Sequence, residues 1–356
     1  MNNHLAPFEV RDAPLRQYCE VHFSGHDHYR SIELQRLVIS PSRSGYVVLL
    51  NTNDGYMDVL SEPQLEIDEN WCRNDPSVSS YRLGKIEPVT MDRVHLHTSS
   101  SGVDAHVTFH DSDGRRVEMT VRSPKNRPAK SRKLFIPAVP RASAKMLWFL
   151  YVFEFGPLRQ SDQIDVSIDG ESMKHKKWPW PVGLRRHVQG RYANDIVFVS
   201  LNPPVIGPVQ AADKSNGYQC APSDDDGQIP RIQYQQLQLD GDHVLTATFD
   251  PPISAVTPSG DSVAGKGSFQ VDVDGIRISK GNYSVTPSTD SSDQPQTVVQ
   301  LSNVDQWWRP PEKDISVWML QFYHRLRTRG KRWQWTGTFR AGDDGVRCES
   351  DDWTLE

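Results

Sequence analysis

Two tryptophans that flank a proline stand directly before a basic stretch, and together they form the most suggestive binding pattern in the chain. Trp178 and Trp180 lie in the segment WPW, and the cationic and imidazole side chains that follow are Arg185, Arg186, His187 and Arg191. The apolar face of a sugar ring stacks on tryptophan, while arginine and histidine hydrogen-bond hydroxyl or carboxylate groups. The pattern predicts a surface that binds a carbohydrate or another protein. The alternative is a proline-stiffened corner with buried indoles.

Two further tryptophan pairs lie nearer the end of the chain. Trp307 and Trp308 stand before the apolar segment ISVWMLQFY, and we include them in the predicted ligand-binding surface. Trp333 and Trp335 alternate with polar residues and share a strand face with Phe339. That spacing predicts a buried aromatic stripe rather than a binding platform.

A short histidine motif offers a different chemistry. His26 and His28 precede Glu33 in the spacing HxH-x4-E, which resembles the core of the cupin metal motif. The resemblance implies a divalent metal bound by these three side chains, with coordination positions open for substrate or oxygen. The flanking glycines of the cupin pattern are replaced here by Glu20 and Ser40, and no second cupin motif follows. We therefore expect no cofactor and keep a divalent metal as the alternative.

Composition excludes several classes of protein. The 356 residues carry a formal net charge of only −5, with acids and bases interspersed, so we expect no nucleic-acid partner. The longest apolar run, residues 147–155, is far shorter than the roughly 20 residues that span a bilayer, and it predicts a buried strand. The first residues lack the pattern of a signal peptide. We expect a cytoplasmic protein, or one released as part of an assembly, with four scattered free cysteines.

Strands joined by tight turns are the main structural prediction. The dipeptide Asp-Gly occurs seven times, usually between segments in which apolar residues alternate with polar ones, and this dipeptide accepts the positive φ of hairpin turns. A three-residue loop at 112–114 keeps the apolar face continuous by pairing Phe109 with Val117 and Val107 with Met119. This loop also places His106 and His110 opposite Thr120 and Arg116.

A second hairpin is predicted to turn on two residues alone, Asp274 and Gly275. This loop pairs Val273 with Ile276 and Val271 with Ile278. Residues 28–40 fit neither a helix nor a strand template cleanly, and both assignments stay open here.

The turn-rich, acidic stretch 211–230 predicts a linker. It separates residues 1–210, a β-barrel or one to two β-sandwiches with a seam near 124–140, from residues 231–356. Within the second part, about 242–323 resembles the bacterial immunoglobulin-like repeats of surface and virion proteins, through HVLTATFDPPISAV, GSFQVDVDGIRI and a closing apolar strand. The resemblance implies an immunoglobulin-like β-sandwich with a C-terminal extension, and such modules space, bind or assemble.

These observations favour a soluble, multidomain, all-β protein without catalytic activity, which engages a carbohydrate or another protein and is suited to a virion or tail-type component. Homo-oligomerisation is left open. The alternative is an enzyme with its pocket in the N-terminal β region, either a lipocalin-like hydratase or cyclase or a metal-dependent cupin-like enzyme. No nucleophile elbow, P-loop or HExxH motif supports that alternative.

Overall fold

A computed structural model describes residues 4–75, 78, 81–125, 132–136, 147–177, 187–202, 206–208, 212, 214, 217–220, 229–239, 243–305, 332–342, 345–350 and 353–355. Most of these residues lie in strands that form three curled sheets. The predicted all-β class, with sandwich and barrel-like packing, is confirmed.

The strands of the N-terminal half are β1 (Val10–Asp12), β2 (Leu15–Ser24), β3 (Tyr29–Ser40), β4 (Arg43–Thr52), β5 (Tyr56–Ser61), β6 (Arg82–Pro88), β7 (Met91–Ser99), β8 (Gly102–His110), β9 (Arg116–Arg122), β10 (Leu134–Ile136), β11 (Leu147–Arg159), β12 (Gln163–Ile168), β13 (Glu171–Ser172), β14 (Lys174–His175) and β15 (His187–Leu201). Those that follow are β16 (Ile206–Pro208), β17 (Tyr218–Cys220), β18 (Arg231–Gln238), β19 (Val244–Ser254), β20 (Gly265–Val273), β21 (Ile276–Thr289), β22 (Pro295–Asp305), β23 (Trp333–Gly342), β24 (Gly345–Ser350) and β25 (Thr354–Leu355).

One short α-helix, α1 (Glu69–Asn74), and a 3-10 turn at Pro63–Leu65 interrupt the strands between β5 and β6. The carboxylate of Asp68 caps α1 by accepting a hydrogen bond from the backbone N–H of Trp71 at 2.6 Å. The pairing of β5 with β6 is parallel, whereas the other described strand pairs are antiparallel.

The first sheet has the order β10-β11-β15-β2-β3-β4-β5-β6, with β1 beside β15 and β14 beside β2. The second sheet, β13-β12-β9-β8-β7, packs on one face of it. Apolar side chains such as Ile32, Leu34, Val107 and Met119 fill the space between the two sheets. The opposite face of the first sheet has a separate core, which includes Leu49.

The third sheet contains the later strands in the order β16-β24-β23-β22-β21-β20-β19-β18-β17, with β25 beside β23. From β17 to β24 each strand pairs with the next one in the chain, so the sheet is an antiparallel meander. Its apolar face shares one core with β1, with the first half of β11 and with the last third of β15. In that core Phe149 on β11 and Val199 on β15 are fully buried. The long strands β11 and β15 therefore connect the first sheet to the third.

The hairpin between β8 and β9 has the predicted register. Phe109 pairs with Val117, and Val107 pairs with Met119. Gly114 has a φ of +80° at the end of the loop, as a three-residue loop with a G1 bulge requires. The predicted neighbours of the two histidines are also confirmed, because His106 pairs with Thr120 and His110 with Arg116.

The hairpin between β20 and β21 is correct at its turn and shifted beyond it. Asp274 and Gly275 have φ values of +50° and +72°, as a type I′ turn requires, and Val273 pairs with Ile276. The predicted pairing of Val271 with Ile278 is wrong: Val271 pairs with Ser279. A β-bulge adds one residue here, and Ile278 and Ser279 are both buried.

The segment 28–40, left open above, forms the central strand β3. Trp333, Trp335 and Phe339 are 3%, 3% and 2% exposed, which confirms the aromatic stripe as core. The predicted linker contains β17, which pairs with β18, and the division into domains at 211–230 stays a prediction, as does the seam near 124–140.

Candidate functional site

A row of polar side chains crosses four neighbouring strands on the face of the first sheet that also carries the second sheet. Glu154 on β11 pairs with Asn194 on β15, and Gln17 on β2 pairs with Arg36 on β3. The amide Nε2 of Gln17 donates to Oδ1 of Asn194 at 2.6 Å, and Nδ2 of Asn194 donates to Oε2 of Glu154 at 3.1 Å. The sheet thus joins residues from opposite ends of the N-terminal half.

A local distortion of the sheet positions this row. Asp195 has a φ of +53°, a left-handed conformation that aspartate tolerates better than most residues. The regular alternation of side chains between the two faces of the sheet is lost there. Val152 and Phe155 on β11 contact the same core although they are three residues apart. Ala193 and Ile196 on β15 behave in the same way. The distortion presents the side chains of Asn194 and Asp195 beside β2.

The row borders an open groove of about 390 Å³. The side chains that line it are Arg16, Gln17, Arg36, Val38, Asn194, Asp195 and Ile196. Among the residues that the structure describes, no group donates a hydrogen bond to the buried Oε1 of Gln17. Arg36 is exposed, and its guanidinium has no partner in the described part of the chain.

The other charges that line the groove are paired within the protein. Arg16 forms an ion pair with Asp12 at 2.7 Å and donates to the backbone oxygen of Ala13 at 2.6 Å. The carboxylate of Asp195 contacts His243. Arg36 is therefore the groove cation left for a ligand, within the described chain.

His243 precedes β19 of the third sheet and binds two carboxylates at once. Its Nε2 lies 3.0 Å from Asp195 and its Nδ1 lies 2.7 Å from Asp274. The imidazole stacks on Phe153, with ring centroids 3.7 Å apart. Burial opposes protonation, but the hydrogen bonds and negative charges of Asp195 and Asp274 outweigh it and raise the pKa of His243. Because a neutral imidazole has one N–H, only the protonated ring donates to both carboxylates.

On the opposite face of the first sheet, two buried carboxyl groups are cross-strand neighbours. Glu20 on β2 pairs with Glu33 on β3, and both residues are less than a tenth exposed. Nε of Arg191 lies 2.8 Å from Oε2 of Glu20, and Nε2 of His22 lies 2.8 Å from Oε1 of Glu20. Nε2 of Gln35 donates to Oε1 of Glu33 at 2.8 Å.

The two carboxyl groups of this pair have opposite pKa shifts. Burial opposes ionisation of Glu20, but Arg191 and His22 outweigh it and lower its pKa to about 2. Burial, followed by the charge of Glu20, raises the pKa of Glu33 to about 7. At neutral pH Glu20 is therefore ionised, while Glu33 keeps its proton for part of the time. Unequal carboxyl pairs of this kind can perform acid–base chemistry where a substrate reaches them.

The predicted binding residues fall in two groups. Trp178, Trp180, Arg185, Arg186, Trp307 and Trp308 lie outside the described residues. His187 begins β15, and its backbone pairs with Arg159. The structure brings Arg191 to Glu20, and its guanidinium lies 5.7 Å from the ring centre of Tyr18.

The structure does not bring together the predicted metal ligands. Nδ1 of His26 accepts backbone N–H groups from His28 and Tyr29, at 3.2 and 3.0 Å, so that nitrogen is already used. Glu33 is buried beside Glu20. Among the described residues, no three His, Cys, Asp or Glu side chains are close enough to hold a metal ion, and these residues do not fit the cupin site.

Sequence reasoning missed the polar row altogether. Gln17 and Asn194 are 177 residues apart, and neither belongs to a motif. The dipeptide Asn194-Asp195 within a long apolar segment was the available signal, since such residues mark a left-handed position in a strand.

Comparison with protein-family models, with curated proteins and with solved structures finds no match to this chain. In the part of the chain that the structure describes, no helix has the length and apolar character needed to cross a membrane.

Proposed function

We propose that this protein is a non-catalytic binding or assembly protein that engages a carbohydrate or another protein chain. The observation that carries the proposal is the open groove lined by Gln17, Asn194 and Arg36. Arg36 is exposed there without a described partner, beside a buried carbonyl oxygen of Gln17 to which no described residue donates. Binding sites commonly lie where structural layers meet and carry a few oriented polar groups. This groove lies next to the contact between the first and third sheets.

The groove is better suited to binding than to catalysis. A general base needs a free acceptor of suitable pKa within reach of the substrate. Asp195 is held by His243, and Glu154 accepts from Asn194. Neither of these carboxylates is therefore prepared to remove a proton from a ligand in the described groove.

The proposal also covers the tryptophan and arginine motif and the second part of the chain. In this proposal Trp178, Trp180 and the arginines that follow form a further ligand-binding surface, and the part of the chain that resembles immunoglobulin-like repeats spaces or assembles. A virion or tail-type component, released with its assembly, needs both properties. Whether the partner is a glycan or a protein is an outcome of the test.

The test is to recover the ligand after binding. The protein is applied to an array of oligosaccharides and to a mixture of candidate surface proteins, and the bound ligand is eluted for mass spectrometry. We expect saturable binding and an eluted ligand of unchanged mass, with weaker binding by Trp178→Ala and Trp180→Ala if their surface contributes. Recovery of a cleaved or chemically altered ligand would contradict the proposal.

An enzyme is the second candidate, and the unequal pair Glu20 and Glu33 is the observation that favours it. In this reading Glu33 gives or takes a proton at neutral pH, in a pocket of the N-terminal β region, as a lipocalin-like hydratase or cyclase would require. Activity that disappears in Glu33→Gln while the protein stays folded would support this candidate. Metal analysis of the purified protein and of His26→Ala and His28→Ala tests the cupin-like form, and stoichiometric metal lost in both variants would support it.

A further inference from the structure

The amide row has a defined direction, which sets what its open end can bind. Glu154 only accepts when ionised, so Asn194 must turn its Nδ2 toward Glu154 and its Oδ1 toward Gln17. Gln17 must then donate from Nε2 to Asn194, as the 2.6 Å contact shows. The remaining atom, Oε1 of Gln17, is consequently a carbonyl acceptor of fixed orientation. It is buried, and no described residue donates to it.

Beside this acceptor lies a free group of donors. Gln17 and Arg36 are directly paired across β2 and β3, so their side chains start about 5 Å apart on one face. The guanidinium of Arg36 carries donors and no acceptor. A ligand group that satisfies both side chains must donate one hydrogen bond and accept another. A hydroxyl group does this, whereas a carboxylate would place an oxygen against the carbonyl of Gln17.

The charges of the groove also disfavour a strongly anionic ligand. Arg16 is neutralised by Asp12, and Asp195 is shared with His243, which leaves Arg36 as the one unpaired cation among the described residues that line the groove. Val38 and Ile196 complete the lining with apolar surface. Adjacent hydroxyl groups and apolar C–H faces occur together in sugars.

We propose that this groove binds a neutral saccharide, with one sugar hydroxyl donating to Oε1 of Gln17 and accepting from the guanidinium of Arg36. The proposal rests on the binding function proposed above and names its ligand class and the two residues that recognise it.

The experiment uses the full chain on a printed array of neutral, sulphated and sialylated oligosaccharides, followed by titration with the best neutral binder. The variants are Arg36→Ala, Arg36→Lys and Gln17→Leu. Arg30→Ala is the matched control, because Arg30 is an exposed arginine on the same strand, about 20 Å away along β3. Thermal unfolding of every variant verifies that it is folded.

We expect neutral glycans to bind better than charged ones, and both Arg36→Ala and Gln17→Leu to weaken binding about tenfold or more. Arg36→Lys should also weaken it, because an ammonium group lacks the planar fork, while Arg30→Ala should bind as the wild type does. Neutral glycan binding that survives Arg36→Ala and Gln17→Leu but is lost in Trp178→Ala would overturn this inference and leave the binding function standing. Preference for sulphated or sialylated glycans would overturn it too, and absence of any glycan binding would remove saccharides as the ligand class while leaving a protein partner.

Discussion

At the scale of single residues, Glu20 and Glu33 show how burial separates two chemically identical groups. Glu20 has Arg191 and His22 as partners and stays ionised, whereas the donor to Glu33 among the described residues is the neutral amide of Gln35. The charge of Glu20 acts on Glu33 across one strand spacing. Two like charges at that distance in a buried setting are unfavourable, so one carboxyl group retains its proton.

Glu33→Gln should make the protein more stable at alkaline pH. The folded-state pKa of about 7 lies above the ordinary value of 4.5, so the folded protein binds this proton more tightly than the unfolded chain does. The resulting stability is present at low pH and is lost as pH rises from about 4.5 through 7. Glutamine imitates the protonated form, and at pH 8 we expect a gain of up to about 3 kcal/mol, against little change at pH 4.5. Urea denaturation at both pH values measures it.

Glu20→Gln is the opposite case. It removes the charge that pairs with half-buried Arg191. Breaking a fully buried ion pair from one side costs about 3–5 kcal/mol, and the loss here should be smaller, because the Arg191 side chain is 33% exposed. The free energy of unfolding at pH 8 should therefore fall in Glu20→Gln and rise in Glu33→Gln. A loss of stability of similar size in both variants would show that folding does not raise the pKa of Glu33.

At the scale of elements, local chemistry predicted the turns better than the registers beyond them. Asp274 and Gly275 specify a type I′ turn through their own backbone preferences, and no distant residue is needed for that. The bulge at Ile278 depends on which side chains the core of the third sheet accepts, and this information is distributed over several strands. The sequence also left strand β3 unassigned. Apolar residues on both of its faces obscure the period of two expected for a half-buried strand.

Glycine positions in the third sheet give a sharp test of its pairing. Gly281 on β21 pairs with Phe269, and an added Cβ would overlap the backbone oxygen of Ser302 and the Phe269 ring. A backbone atom cannot move aside cheaply, so Gly281→Ala should destabilise the protein by about 1–3 kcal/mol. Chemical denaturation measures the change.

Gly265→Ala is the matched control for this prediction. Gly265 lies on the neighbouring strand β20, and nothing lies within 4 Å of the position that its Cβ would take. Alanine there should leave stability unchanged or raise it slightly, because the unfolded chain loses freedom. Equal effects of the two substitutions would contradict the described pairing of β20, β21 and β22.

At the scale of the whole molecule, the long strands β11 and β15 contribute to all three cores and make the candidate site. The buried strand β11 was predictable, since the apolar run 147–155 indicated it. The groove was not predictable, because it needs β2, β3 and β15 side by side and a distortion at Asp195. Spatial neighbours from distant parts of a chain leave no periodic signal in one sequence.

The contact of His243 with Asp195 and Asp274 should make the attachment of the third sheet to the first depend on pH. A histidine whose pKa is raised on folding adds stability below its ordinary pKa near 6.5, and this stability is lost as pH rises through the higher folded value. His243→Gln should therefore cost about 1–2 kcal/mol at pH 5.5 and less at pH 8.5. Lys133 also lies near this contact, with its Nζ 5.5 Å from the centre of the Phe153 ring.

Thermal unfolding of the wild type and His243→Gln from pH 5.5 to 8.5 provides the measurement. Asp195→Asn serves as a second variant, since it removes one carboxylate and keeps the imidazole. His243→Gln should lose the part of the pH dependence that comes from this ring, and Asp195→Asn should reduce that part, because Asp274 still contacts the imidazole. The part that comes from Glu33 should remain in both variants. A difference between wild type and His243→Gln that is constant with pH would mean that folding does not raise the pKa of His243.

The central claim, that the groove beside Gln17 and Arg36 is the ligand site, is tested most directly by a crystal structure with the best-binding neutral oligosaccharide. We predict a sugar hydroxyl within hydrogen-bond distance of both Oε1 of Gln17 and the guanidinium of Arg36. A sugar bound at another surface, with this groove free of it, would contradict the claim.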